Sequence, residues 1–397
     1  MKYKKISNEI IKSVKFFSKK KNIPLHEPNF KKEDFNSMNR CLKSSFVSTV
    51  SKFTNVFEEK LKKLTNSKYS IATINGTSAI QIAILSCGIK KNEEILIPNL
   101  NYIGSTNAAI YCNAIPHFVD VESETLGIDT VKLENYLKKI CKIKKNSTIN
   151  KISKRNIKAI IPTHVFGNPG NIEELIKLAK KFNLKIIEDA SECVGSYYKD
   201  KHLGTFGDVG ALSFNGNKII TTGGGGAIIT NNKQIYQKAF SLSTISRKKN
   251  TGWRYDYDDV GYNYRLPGIN SSLGISQLKN LSNSLKIKRK IFLKYKKIFK
   301  NSIYFKLLIE PKNVKSNHWL NTIYIFNSNL KLRDKIIKET NKKGIGIRPV
   351  WKLMHKIKHL SSYPRMNIQN SEKLEKSLIN LPSSPNLYKK NSKFKVK

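Results

Sequence analysis

YSIATINGTSAIQIAILSC, residues 69–87, changes its period in the middle. Residues 69–75 are short, apolar and rich in β-branched side chains, which predicts a strand. From Thr77 to Cys87 the apolar residues keep helical spacing. Between them lies Asn75-Gly76-Thr77-Ser78, a tight turn of small polar residues that opens a helix. Such a turn offers free backbone N–H groups and hydroxyls to an anion.

The same unit recurs downstream. Strands are predicted at 94–98, 115–121, 157–165, 184–190, 211–215 and 226–230, with helices near 104–112, 130–140 and 171–182. This alternation predicts an α/β fold, a mostly parallel sheet covered on both faces. Ligands then bind beyond the carboxyl ends of the strands, where Pro98 to Tyr102, His164 and Asp189 stand. The basic stretch 137–158 reads as the end of a helix plus an exposed loop. A Lys-rich helix at 282–300 reads as a connector to a smaller α+β unit with a strand at 322–326 and helices at 331–343 and 371–379. The last nine residues, KKNSKFKVK, read as frayed. Domains are expected at 1–45 (an N-terminal extension), 46–280 (a large ligand-binding domain) and 281–397 (a small C-terminal domain).

Lys plus Arg number 73 against 28 Asp plus Glu, a formal net charge of +45 carried by 64 Lys and nine Arg. With 39% hydrophobic residues the chain can bury a core, so disorder throughout is excluded. The Lys are scattered and no nucleic-acid-binding module is visible, so a nucleic-acid partner is not expected. Five separated Cys without a C-x-x-C pair exclude a zinc ribbon and a disulfide scaffold, and no metal is expected. No apolar stretch is long enough for a membrane span, and the basic N-terminus is amphipathic, which points to a soluble, cytoplasmic protein.

SFNGNKIITTGGGG, residues 213–226, carries the chemistry. Its Lys precedes the glycines, so it is not a phosphate loop of the Gly-Lys-Ser/Thr kind. A Lys among small residues after a strand suits a Schiff base, with small neighbours that let a planar cofactor approach the backbone. Pyridoxal phosphate (PLP) then requires a buried carboxylate beside its ring nitrogen, and Asp189 meets that requirement. Gly76, Thr77 and Ser78 are the phosphate candidates, and Tyr102 is a stacking partner for the ring.

With these residues in view, the chain resembles the DegT/DnrJ/StrS family of sugar aminotransferases, PLP fold type I, from about Ile23 to Ser384. The matching blocks include IPLHEPNF (23–30), INGTSAI (74–80), IEDASECVGSYY (187–198), SFNGNKIITTGGGGAIIT (213–230), VGYNYRLP (260–267) and RPVWKLMH (348–355). It is most similar to the legionaminic-acid-type branch acting on UDP-linked 4-keto-6-deoxy-N-acetylhexosamines. The resemblance implies an aspartate-aminotransferase-like large domain and a smaller C-terminal one. It implies that Lys218 forms the Schiff base and shuttles a proton, and that Asp189 pairs with the pyridine nitrogen. Glu192 would stand near the cofactor hydroxyl, where the wider family often has Gln. Thr77, Ser78, Ser213 and Asn215 would line the cofactor, and Asn263 would reach the phosphate of the neighbouring subunit in a homodimer with a shared active site. His164, Tyr264, Arg265, Arg348, Trp351 and His355 are the substrate candidates, with Arg265 and Arg348 favoured for anionic groups. The implied reaction moves an amine from an amino acid, glutamate by resemblance, to C4 of the nucleotide-linked keto sugar for surface-glycan synthesis. A dTDP- or GDP-linked sugar is the alternative substrate. A dehydratase relative would carry His in place of Lys218; a PLP-bearing sensor and a basic nucleic-acid-binding protein are the remaining readings.

Overall fold

Short apolar runs that pair edge to edge build the main layer. The computed structural model describes residues 2–18, 20–145, 147–248 and 253–387. Three helices come first: α1 (Lys2–Phe17), α2 (Lys32–Lys43) and α3 (Lys52–Thr65). Strands and helices then alternate through β1 (Tyr69–Thr73), α4 (Gly76–Ser86), β2 (Glu94–Pro98), α5 (Ile103–Tyr111), β3 (Ile115–Val119) and α6 (Thr130–Ile140). Next come β4 (Cys141–Lys144), β5 (Ser147–Asn150), β6 (Asn156–Ile160), α7 (Ile172–Lys181) and β7 (Lys185–Asp189). Two-residue strands β8 (Tyr197–Tyr198) and β9 (Lys201–His202) precede β10 (Val209–Ser213), β11 (Gly226–Thr230) and α8 (Lys233–Ser243). The long α9 (Gly268–Ile298) leads to β12 (Phe305–Leu307), β13 (Val314–Lys315), β14 (Asn321–Ile325) and α10 (Leu330–Lys342). The described chain closes with β15 (Arg348–Pro349), α11 (Gln369–Ser377) and β16 (Leu378–Leu381).

The main sheet runs β1-β11-β10-β7-β6-β2-β3. Neighbours from β10 to β3 are parallel, and β11 is antiparallel to both β10 and β1. Six strands therefore share one direction, and their carboxyl ends share one edge. β2 and β10 are buried at every position, as expected of strands covered on both faces. α4 has almost no polar face because the sheet, α5 and α8 all pack on it.

Two sequence expectations are corrected. The basic stretch 137–158 is not a loop: β4 and β5 form an antiparallel hairpin, and β5 joins the main sheet beside β6. Its lysines point to solvent while Thr148 and Asn150 are buried, so the charge hides a half-buried strand. The connector helix begins at Gly268, well before 282, because its first three turns are packed against α2 and α3.

A second sheet, β12-β14-β16-β15, forms the C-terminal core with α10 and the end of α9. Within residues 1–45, α1 packs on α10 and buries Ile6, Ile10 and Val14 in that core. The stretch 389–397, expected to fray, lies outside the described residues. No described helix is long and apolar enough to cross a membrane.

Candidate active site

A cavity of 350 Å³ opens at the shared carboxyl edge of the main sheet, and Lys218, Asp189, Glu192, Thr77, Tyr102, Ser213 and Asn215 all border it. Each arrives by a local rule. Asn75 caps α4 by accepting the Ser78 N–H at 2.7 Å. The N–H groups of Gly76 and Thr77 stay free at the positive end of the helix. Gly76 lies so close to Ser213 and Ser191 that a Cβ there would meet the Ser213 Cβ at 3.0 Å and the Ser191 Oγ at 3.3 Å. Two amides and the hydroxyls of Thr77, Ser191 and Ser213 thus converge on one anion-sized end of the pocket. Ser78 is buried behind this turn with its N–H donated to the Asn75 cap, and it does not border the cavity, whereas Ser191 does.

Gly226 makes the turn accessible to β11. It pairs with Thr73 and Ser213, and a Cβ there would fall 2.5 Å from the Asn75 carbonyl oxygen. The glycine run was expected to bring backbone towards a cofactor. Gly226 instead lets a strand pass the head of α4.

Asp189 ends β7, and both of its oxygens are engaged. The Ser191 N–H donates to Oδ1 at 3.2 Å, and the Ser105 hydroxyl, on the first turn of α5, donates to Oδ2. The carboxylate is held as an acceptor at the floor of the pocket. Glu192 follows on the next turn. Its Oε2 accepts the Phe166 N–H at 2.8 Å, and Oε1 lies 3.3 Å from Lys218 Nζ. Burial pushes the Glu192 carboxyl above its ordinary range, and the negative Asp189 adds to that; Lys218 and the Phe166 N–H oppose it.

Lys218 sits on a turn closed by its own N–H bonding to the Asn215 carbonyl at 2.9 Å. Its Nζ also lies 3.9 Å from the centre of the Trp319 ring. Tyr102 is 58% exposed, with a ring face open to a planar partner beside Thr77. Trp319 and Trp351 complete the wall, with Phe166 packed against both.

Other expected residues lie elsewhere. Arg265 does not reach the cavity: its guanidinium is buried against Glu58 and the face of Phe240, so the expected substrate contact gives way to a structural pair. His164 is buried and bonds Glu188 at 2.7 Å, while its neighbour Thr163 borders the cavity. Tyr264 stacks on Tyr262 and bonds Gln81. Arg348 is exposed on β15 and borders a separate surface groove. His355 bonds Asn99 and faces Glu372, outside the cavity lining. Asn263 is exposed and outside its own chain's pocket. Of the substrate candidates, Trp351 alone borders the cavity.

Asn101, Thr163, Ser191, Asn217 and Trp319 border it without having been singled out by sequence. Asn101 and Thr163 stand just past the ends of β2 and β6, where strand-end position was the available signal. The Asn101 amide and the Thr163 hydroxyl are buried without a partner within the described residues. Buried polar atoms are rarely left so, and a polar ligand would satisfy them. The pocket fits PLP: anion donors at one end, an open ring face, a carboxylate at the floor and a primary amine between. No cluster of three or more potential metal ligands occurs among the described residues.

Comparison with known proteins agrees with this chemistry. The DegT/DnrJ/EryC1/StrS aminotransferase family matches residues 28–394. GDP-perosamine synthase of Escherichia coli O157:H7 is 33% identical over 92% of this chain and 94% of its own. A UDP-4-amino-4,6-dideoxy-N-acetyl-beta-L-altrosamine transaminase of Campylobacter jejuni is 30% identical over 92% and 93%. Among solved structures, Helicobacter pylori PseC, an aminotransferase of pseudoaminic acid biosynthesis, superposes with a TM-score of 0.83 at 25% identity, covering 92% of this chain and 95% of that one. The fold is fold type I, and the chain belongs to the DegT/DnrJ/EryC1/StrS family of PLP-dependent sugar aminotransferases.

Proposed function

We propose that this aminotransferase moves an amino group from glutamate to C4 of a nucleotide-linked 4-keto-6-deoxy sugar. The observation that carries the reading is Lys218 Nζ, held in a buried pocket between carboxyl groups and an anion-binding helix end. PLP, when bound, supplies the electron sink that lets an amine pass from one carbon to another. The chain supplies the rest. Gly76, Thr77, Ser191 and Ser213 would hold the phosphate, and Asp189 would keep a proton at the pyridine nitrogen. Tyr102 orients the ring. Lys218 Nζ would hold the cofactor, and its amine is placed to accept and return a proton at the reacting carbon. Phe166, Trp319 and Trp351 form an apolar wall that excludes water and offers a face to the sugar.

A UDP-linked N-acetylhexosamine is the first reading of the sugar, resting on the sequence blocks of the legionaminic-acid-type branch. A GDP-linked keto sugar is the second, favoured by the higher identity to GDP-perosamine synthase. We further propose a cytoplasmic homodimer in which the exposed Asn263 reaches the partner's phosphate, with residues 46–280 as the PLP-binding domain and 281–397 as the small domain.

The test is spectroscopic. Purified enzyme loaded with PLP is expected to absorb at about 420 nm and to shift to about 330 nm with glutamate. The UDP- or GDP-linked 4-keto sugar that restores the first band, with formation of the amino sugar by mass spectrometry, identifies the substrate. If Lys218→Ala shifts at the wild-type rate, the assignment of Lys218 is wrong.

A further inference from the structure

We infer that Trp319 is a positioning residue for the Lys218 amine, acting from the C-terminal part of the chain. This rests on the aminotransferase reading above. The Trp319 ring lies under Lys218 Nζ, 3.9 Å from centroid to nitrogen, and its Nε1–H donates to the Asn217 carbonyl at 2.7 Å. One side chain therefore holds both the backbone of the lysine turn and the end of the lysine itself. Trp319 is 5% exposed, and a cation over an aromatic face screened from bulk water is held more strongly than at an exposed site.

The ring has little freedom to tilt. The Trp319 N–H donates to Asn317 Oδ1 at 2.8 Å, and its carbonyl accepts from Lys288 Nζ at 3.1 Å. Asn317 Nδ2 donates to the carbonyls of Glu192 and Val194 at 2.8 and 3.0 Å. Residues 317–319 thus tie the turn that carries Glu192 to the turn that carries Lys218. Lys288 is itself 1% exposed, and its Nζ also meets the Ser383 carbonyl at 2.6 Å and His26 Nε2 at 3.1 Å.

An aromatic face attracts a cation and gives a neutral amine no comparable attraction. Glu192, 3.3 Å away, and Asp189 in the same pocket act in the same direction when ionised. Burial holds the amine of Lys288, on α9, well below the ordinary lysine range. His26, of the N-terminal segment, is held neutral by burial and by the charges of Lys288 and Lys218. Removing the ring removes that attraction.

The experiment uses the full-length chain freed of cofactor, as wild type, Trp319→Phe and Trp319→Leu. Lys218 is labelled with an amine-directed acylating reagent across pH, and labelling at that residue is read by peptide mass. The labelling midpoint is expected to fall from Trp to Phe to Leu, with about three- to tenfold more free amine in Trp319→Leu at a fixed pH. A midpoint is insensitive to the easier access that a smaller side chain also gives. Equal midpoints in all three proteins would overturn the inference. Lys288 stays unlabelled in a folded chain; if Trp319→Leu exposes it, the Trp319→Phe midpoint decides alone. Borohydride reduction after adding PLP tests the underlying assignment separately. Trapping on another lysine sinks the Lys218 reading and leaves the labelling midpoints to judge Trp319.

Discussion

Lys218 Nζ and Glu192 Oε1 stand 3.3 Å apart, with side chains only 12% and 6% exposed. Burial nevertheless keeps the Glu192 carboxyl above its ordinary value of 4.5. The folded chain holds that proton to higher pH than the unfolded chain does. Its stabilising contribution is therefore complete below the ordinary value and is lost as pH rises through the raised one. Glu192→Gln removes the loss. In cofactor-free protein, the melting temperature of Glu192→Gln is expected to gain on wild type as pH rises from the ordinary carboxylate value towards neutrality. Parallel melting curves across that range would show that Glu192 ionises normally.

Ser105 probes Asp189 without replacing it. Its hydroxyl donates to Asp189 Oδ2, and both residues are buried. Ser105→Ala leaves the carboxylate one charge-assisted hydrogen bond short, a cost of about 1.5–3 kcal/mol. Chemical denaturation is expected to show that loss, and equilibrium dialysis is expected to show weaker PLP binding. Unchanged stability would mean that water replaces the hydroxyl freely.

Arg265 separates structure from substrate binding. Its partner Glu58 is 13% exposed at the side chain, and Arg265 itself 7%. Arg265→Met leaves a mostly buried carboxylate unpaired, which is expected to cost about 3–5 kcal/mol. The folded fraction should keep the wild-type KM for the nucleotide sugar. A large rise in KM with little change in stability would return Arg265 to the substrate.

The net charge of +45 acts at long range. A positive surface steers an anionic nucleotide sugar towards the pocket, and salt screens that attraction within about 10 Å at 0.1 M. Rising salt is expected to lower kcat/KM for the sugar while leaving kcat unchanged. A salt-independent kcat/KM would show that the lysines do not guide the substrate.

The alternation of strands and helices was legible because strands buried on both faces are plain apolar runs, as at 94–98 and 226–230. Asp189, Tyr102 and the Gly76–Thr77 turn were legible because strand ends bring them to one edge without any knowledge of distant contacts. Asn317 and Trp319 were not, because they reach Glu192 and Asn217 across 125 and 102 residues. Arg265 was misplaced for the same reason: its carboxylate lies 207 residues upstream. The β4–β5 hairpin was hidden by its lysines, since an exposed face masks the alternation that marks a strand.

α9 runs unbroken from Gly268 to Ile298, packed on α2 and α3 at one end and against the C-terminal core at the other. A boundary drawn at residue 280 cuts through the middle of this rod. A chimera that exchanges the C-terminal part with a relative's must therefore keep the helix whole on one side of its junction, with the crossover before Gly268 or after Ile298. Crossovers inside it would graft two mismatched halves of one shaft.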